Sequence, residues 1–258
     1  NTAANEAVTF RGGLNNYGTF NAGTGVYTFD TYSQELNGVV SIPNVTVTGV
    51  TLTNNNTLTV STALSGTGTL TQAANAILNI GGTSAITTLI ATGTDNTVSF
   101  TGANQTVNNG NYENLVLSGS GAKTLQTLTY TVYKNLTLSG TATTATVVGF
   151  AVGGNLNIGN GTTFTAAGFP LTVTGTTTVG GGTSGNLTIS SATGAKIFTG
   201  LVTVAAGGTW TNTAANSPVT FRGGITNNGT FNAGTGVHTF DTNAQALTGT
   251  IAIPNVTV

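Results

Sequence analysis

The phrase NLVLSG at Asn114 returns as NLTLSG at Asn135 and as NLNIGN at Asn155, at intervals of 21 and 20 residues. In each phrase apolar and polar residues alternate before a glycine, which is the period of two of an extended strand entering a turn. The same alternation reads through TLTV at Thr57, ILNI at Ile77, TVSF at Thr97 and LVTV at Leu201. NLTISS at Asn186 repeats the grammar after a longer gap that holds LTVTG at Leu171. Nothing recurs at the 3.6-residue period of a helix, and Gly with β-branched Thr and Val is spread throughout. At most QAANAIL near Gln72 or SQEL near Ser33 forms a turn.

A longer period lies above the short one. Residues 1–47 fall on residues 212–258 with 13 differences, and every Gly and Phe of the block coincides. The chain therefore reads as one full repeat, 1–211, followed by the start of the next, 212–258, in a continuous array with no linker between them. The first residue is Asn and the chain holds no Met, which points to a processed or excerpted piece.

Two all-β architectures absorb such a pattern: a string of antiparallel sandwich domains, or a parallel solenoid in which each coil pairs with the next. Sandwiches need a period near 100 residues and linkers between domains, whereas the inner period here is about 21 residues and no Pro- or Ser-rich linker interrupts it. The expectation is an all-β parallel β-solenoid (β-helix) with coils of 20–22 residues. About 12 coils at about 4.8 Å each make a rod roughly 60 Å long. Stacked coils place like side chains above one another, so Asn forms amide ladders and apolar residues form files. Val8, Phe10, Phe20 and Phe29, with Val219, Phe221, Phe231 and Phe240, are the expected interior file. The strand VYTF leaves Tyr27, and with it His238, open between inside and outside, because Val26 and Thr28 compete with Tyr27 and Phe29 for the core.

Charge narrows the function. Only 4% of residues are charged and the formal net charge is -1, so no basic patch exists to neutralise a row of phosphates or hold an anionic bilayer. Nucleic acid and membrane insertion are not expected. Weak self-repulsion favours self-association. With no Cys there is no disulfide framework and no thiolate chemistry.

No catalytic, cofactor-binding or metal-binding residues are expected, and no cofactor. The single His, His238, is matched by Tyr27, an exchange that a catalytic or metal-ligating imidazole does not tolerate. Asp30 and Asp241 are equivalent, as are Arg11 and Arg222, which suggests an ion pair or hydrogen bond within each copy rather than a calcium site. Glu6, Asp30, Glu35, Asp95, Glu113 and Asp241 are scattered along the chain, and Glu6 and Glu35 become Ser217 and Ala246, against a carboxylate pair for glycoside cleavage. Tyr17, Tyr27 and Tyr32 could face a polysaccharide, yet they become Asn228, His238 and Asn243. Thr-x-Thr runs at Thr67 and Thr174 are similar to the hydroxyl arrays of ice-binding solenoids, but their spacing shifts and the sequence reveals no coil-by-coil file.

The phrases NNGTFNAGTGVHTFDT, NLVLSGSGAKTLQ and IPNVTVTGVTL resemble the repeat regions of giant secreted, adhesin-like cell-surface and filament proteins of Bacteroidetes and related environmental bacteria. The resemblance spans nearly the whole chain. It implies repetitive β-structure, an extracellular, cell-surface or secreted location, a structural role in attachment, matrix or filament formation, and partners that are neighbouring repeats, with surface polysaccharide second. It brings no catalytic residues with it.

Overall fold

The computed structural model describes residues 5–128 and 130–258; the first four residues of the duplicated opening phrase lie outside them. Among the described residues there are strands and turns and no helix. Every strand pairing is parallel, which removes the hairpin-connected sandwich and leaves a solenoid of about 12 stacked coils. The turn expected near Gln72 is present at 73–76, with Asn75 in the left-handed region at φ 61°. SQEL forms no turn: it enters the eight-residue strand Gln34–Ser41.

The coil has three faces. The first face carries the unbroken ladder, whose inward file Leu58, Leu78, Val98, Leu115, Leu136, Leu156, Thr177, Val202, Ile225 and Leu247 pairs residue on residue. Reading that file gives the coil lengths. Most steps are 20–23 residues, but Val98 to Leu115 takes only 17 and Thr177 to Val202 takes 25. The expected 20–22 is thus a central value: corners absorb the variation, because only the strands must stay in register.

The second face stacks Gln105–Thr106, Ser120–Thr124, Thr141–Ala145, Thr163–Ala166, Asn186–Ile189, Thr209–Asn212 and Thr230–Asn232. The third stacks Tyr130–Val132, Phe150–Val152, Leu171–Val173, Lys196–Phe198, Val219–Phe221, Val237–Phe240 and Asn255–Thr257. NLTISS at Asn186 therefore belongs to a different face from NLVLSG, NLTLSG and NLNIGN, which is why its spacing breaks the rhythm.

Strands alternate buried and half-exposed residues, as in Thr57–Val60 and Thr209–Asn212, and the apolar set converges on one core running the length of the rod. Aromatic rings stack along it: Tyr112 on Tyr130 at 6.4 Å, Tyr130 on Phe150 at 5.9 Å, Phe198 on Phe221 at 6.0 Å and Phe221 on Phe240 at 5.5 Å. Phe29, Phe221, Phe231 and Phe240 are buried as expected, while Val8, Phe10 and Phe20, on the first coil, are half-buried. At one corner the expected amide ladder exists. Asn114 Oδ1 accepts from the Asn135 side chain at 3.1 Å, Asn135 Oδ1 from the Asn155 backbone N–H at 3.0 Å, and Asn155 Oδ1 from the Thr176 N–H at 2.9 Å.

Between residues 26 and 66 the stack steps sideways. Gln34–Ser41 sits on Leu14–Asn16 through 36–38, but carries Thr51–Asn54 above 34–36 and Thr57–Val60 above 39–41. Val26–Phe29 carries Asn44–Val47, which in turn carries 63–65. The second-copy equivalents of Val26–Phe29 and Asn44–Val47, namely Val237–Phe240 and Asn255–Thr257, lie on the third face. Each strand set is thereby passed on by one face where the repeat begins anew.

Phe198 is fully buried between Trp210, at 5.0 Å, and Phe221. The substitution Phe198→Ala is expected to cost about 3–5 kcal/mol, through lost transfer energy and the cavity left behind. Urea denaturation followed by Trp210 fluorescence measures it; a loss under about 1 kcal/mol would contradict this core.

Candidate functional site

The duplicated charges form the same clasp in both copies. Arg11 Nε donates to Asp30 Oδ1 at 3.0 Å, and Arg222 Nε to Asp241 Oδ1 at 2.8 Å. Beside each pair an amide ties three segments together: Gln34 Nε2 donates to Phe10 O and Asp30 O, both at 2.8 Å, while its Oε1 accepts from the Gly13 N–H at 2.9 Å. Gln245 repeats this with Phe221 O, Asp241 O and the Gly224 N–H, each at 2.9 Å. Gly13 and Gly224 have φ of 80° and 81°, and a Cβ there would meet the backbone oxygen of Glu35 at 2.5 Å or of Ala246 at 2.3 Å. The glycine is required by this close approach.

Hydrogen bonds from Arg11 and Thr31 hold Asp30 below its ordinary pKa, and Arg222 does the same for Asp241. Both acceptor sets are spent on the clasp, so these carboxylates close a corner rather than await a cation.

Sequence separation hid one constellation. Asp95, Glu113 and Lys134 come from successive coils, and Lys134 Nζ contacts Asp95 Oδ1 and lies 3.5 Å from Glu113 Oε1. Hydrogen bonding to Asp95 raises the Lys134 pKa. The ammonium between the two acids neutralises them, and an acid–base pair for glycoside cleavage would need a raised carboxyl on one side of a groove. Glu6 and Glu35 are exposed on other coils. Among the described residues no three His, Cys, Asp or Glu side chains gather as a metal site would require.

His238 and Tyr27 both point inward, while Val26 and Val237 face out. The Tyr27 hydroxyl donates to Ala22 O; His238 Nδ1–H donates to Gly236 O at 3.1 Å, and its ring stacks on Phe221. Burial lowers the His238 pKa, so the ring is a neutral core group. With Tyr27 inside, the trio of tyrosines suggested for polysaccharide reduces to Tyr17 and Tyr32, which are exposed.

Two lysines that the sequence did not single out are buried. Lys123 Nζ donates to Gly102 O, Ala103 O and Gln105 Oε1, each at 2.7 Å, and Lys196 Nζ donates to Thr193 O and Gly194 O at 2.8 and 2.6 Å. Each ammonium fills a corner with no acid beside it, collecting carbonyls that would otherwise lack donors. Burial pushes the Lys123 pKa down to about 8. No sequence signal marks these sites, because AKT and AKI read as ordinary surface alternation.

Thr-x-Thr does form a coil-by-coil file, contrary to the expectation from spacing. On the second face the outward rows are Thr143/Ala145, Thr163/Thr165, Asn186/Thr188, Thr209/Thr211 and Thr230/Asn232, paired in register. Rows lie about 4.8 Å apart and the two files roughly 6.6 Å apart. Among the described residues the hydroxyls of Thr163, Thr165, Thr188, Thr209, Thr211 and Thr230 have no hydrogen-bond partner. Uneven corners displace these rows in sequence while the ladder aligns them in space.

No protein-family model, curated protein or solved structure matches the chain.

The Lys123 site has a pH signature. Unfolded lysine stays protonated to about pH 10.4, so above pH 8 the unfolded chain binds more protons than the folded one and stability rises with pH. Urea midpoints are expected to climb from pH 8 to pH 9.5, and Lys123→Met to flatten the climb. A midpoint that falls over this window in the unsubstituted chain would contradict the burial.

Proposed function

We propose that the chain is a mechanical element: a stiff segment of a long, repetitive extracellular fibre or surface adhesin, serving to extend, tether or build matrix. The carrying observation is the unbroken first-face ladder, which the second copy re-enters with Ile225 on Val202 and Leu247 on Ile225. A rod made this way gains stability from each neighbour-to-neighbour interface and offers few mobile loops for proteolysis. The near absence of charge, the clasped carboxylates and the neutral buried histidine favour architecture over catalysis. The sequence resemblance to adhesin-like surface proteins supports an extracellular location. Electron microscopy of native material is expected to show continuous rods with an axial spacing near 4.8 Å. Beads joined by thin linkers would rule the rod out.

A second reading rests on the doubled threonine file. Unpartnered hydroxyls and methyls at fixed spacing on a rigid, uncharged face suit the ordering of water, as an ice surface requires. Incorporation of the chain into a growing ice hemisphere is expected, and Thr188→Tyr with Thr211→Tyr should abolish it, while Thr172→Tyr with Thr220→Tyr on the third face should not. Exclusion of the unsubstituted chain from ice would remove this reading.

A further inference from the structure

The last coil presents a surface whose complement is written elsewhere in the same chain. Residues 34–47, QELNGVVSIPNVTV, and 245–258, QALTGTIAIPNVTV, are copies, yet their surroundings differ. In the first copy Leu36, Val45 and Val47 are 0% exposed. In the second, Leu247 and Val256 are each 52% exposed and Val258 is 101% exposed. Beneath them the two copies stand alike, Leu36 on Leu14 and Leu247 on Ile225, and Val45 on Tyr27 and Val256 on His238. The difference lies above. Thr51–Asn54, Thr57–Val60 and 63–65 cover the first copy.

Backbone groups tell the same story. In the first copy the Ile42 N–H donates to Thr59 O, Leu36 O accepts from Asn55, and Pro43 O accepts from Thr62 and Ala63. Ile253, Leu247 and Pro254 present the equivalent groups upward, beside an apolar notch lined by Phe240, Leu247, Val256 and Val258. Residues 48–72 and 245–258 carry no charge on either side, so nothing repels and the match is one of backbone and apolar shape.

We propose that the upper surface of residues 245–258 is a docking face for a further copy of the repeat, which enters with its residues 48–72. Leu52 and Leu58 of the incoming copy close over the notch, as Leu52 and Leu58 close over the first copy here, where both are 0% exposed. The contact is heterologous, top to bottom, and so propagates without closing. It is slightly poorer than its model within the chain. Asn55 donates to Glu35 at 3.1 Å and to Asn37 at 2.9 Å, and Ala246 and Thr248 stand where those acceptors would be. This inference deepens the fibre reading by naming the segment and register that join one repeat to the next.

Hydrogen exchange of the whole chain, read by mass spectrometry with and without a synthetic peptide of residues 48–72, tests it. The peptide is expected to slow exchange over 247–258 at least tenfold and to leave 130–200 unchanged, while a peptide with Leu52→Asp and Leu58→Asp gives no protection. As a check against peptide self-aggregation, the chain is extended after Val258 by the sequence of residues 48–72, and the same protection is expected. No protection in the extended chain, or equal protection by the substituted peptide, would overturn the docking face. Rods in native material would then still stand, joined by some other contact.

Discussion

Parallel, in-register backbone hydrogen bonding from each coil to the next is the constraint on which everything else rests. Once a coil must pair with its neighbour, side chains at matching positions share an environment, so the inward file has to be apolar and the outward file has to tolerate its own likeness at about 4.8 Å. Charged residues stack badly on themselves at that distance, and Thr and Asn stack well. The chain's poverty in charge follows from its architecture. The few charges it does carry are held in clasps, as Arg11 with Asp30, or sunk against carbonyls, as Lys123.

Strand period and coil length were legible because both are local: NLVLSG, NLTLSG and NLNIGN hold neighbouring rungs of one face. What escaped was whatever depended on corner length. NLTISS has the same grammar and stands on another face, and the Thr-x-Thr rows were invisible because steps of 20, 23, 23 and 21 residues, from Thr143 to Thr230, hide a straight file. A sequence shows the spacing along the chain, and corners of differing length change that spacing without moving the strand.

The clasp was half legible. Equivalence of Arg11 with Arg222 and of Asp30 with Asp241 predicted a local partnership, but the part of Gln34 and Gln245 in it was not foreseen, since glutamine carries no charge to draw notice. Tyr27 and His238 show the limit of alternation: VYTF and VHTF fit either orientation, and the core chose the ring because Phe10 and Phe221 lie beneath to receive it. Asp95, Glu113 and Lys134 met only through stacking, 18 and 21 residues apart along the chain and adjacent along the axis.

The sideways step at Gln34–Ser41 has a consequence for any assembly built of such repeats. Since each repeat passes its strand sets on by one face, the threonine rows of the following copy would rise above the third face of this one. Three repeats would restore the starting orientation, after roughly 145 Å of axial rise at about 4.8 Å per coil. A long fibre would then wear its threonines as a barber-pole stripe, turned to every side in succession, and would have no permanent front or back.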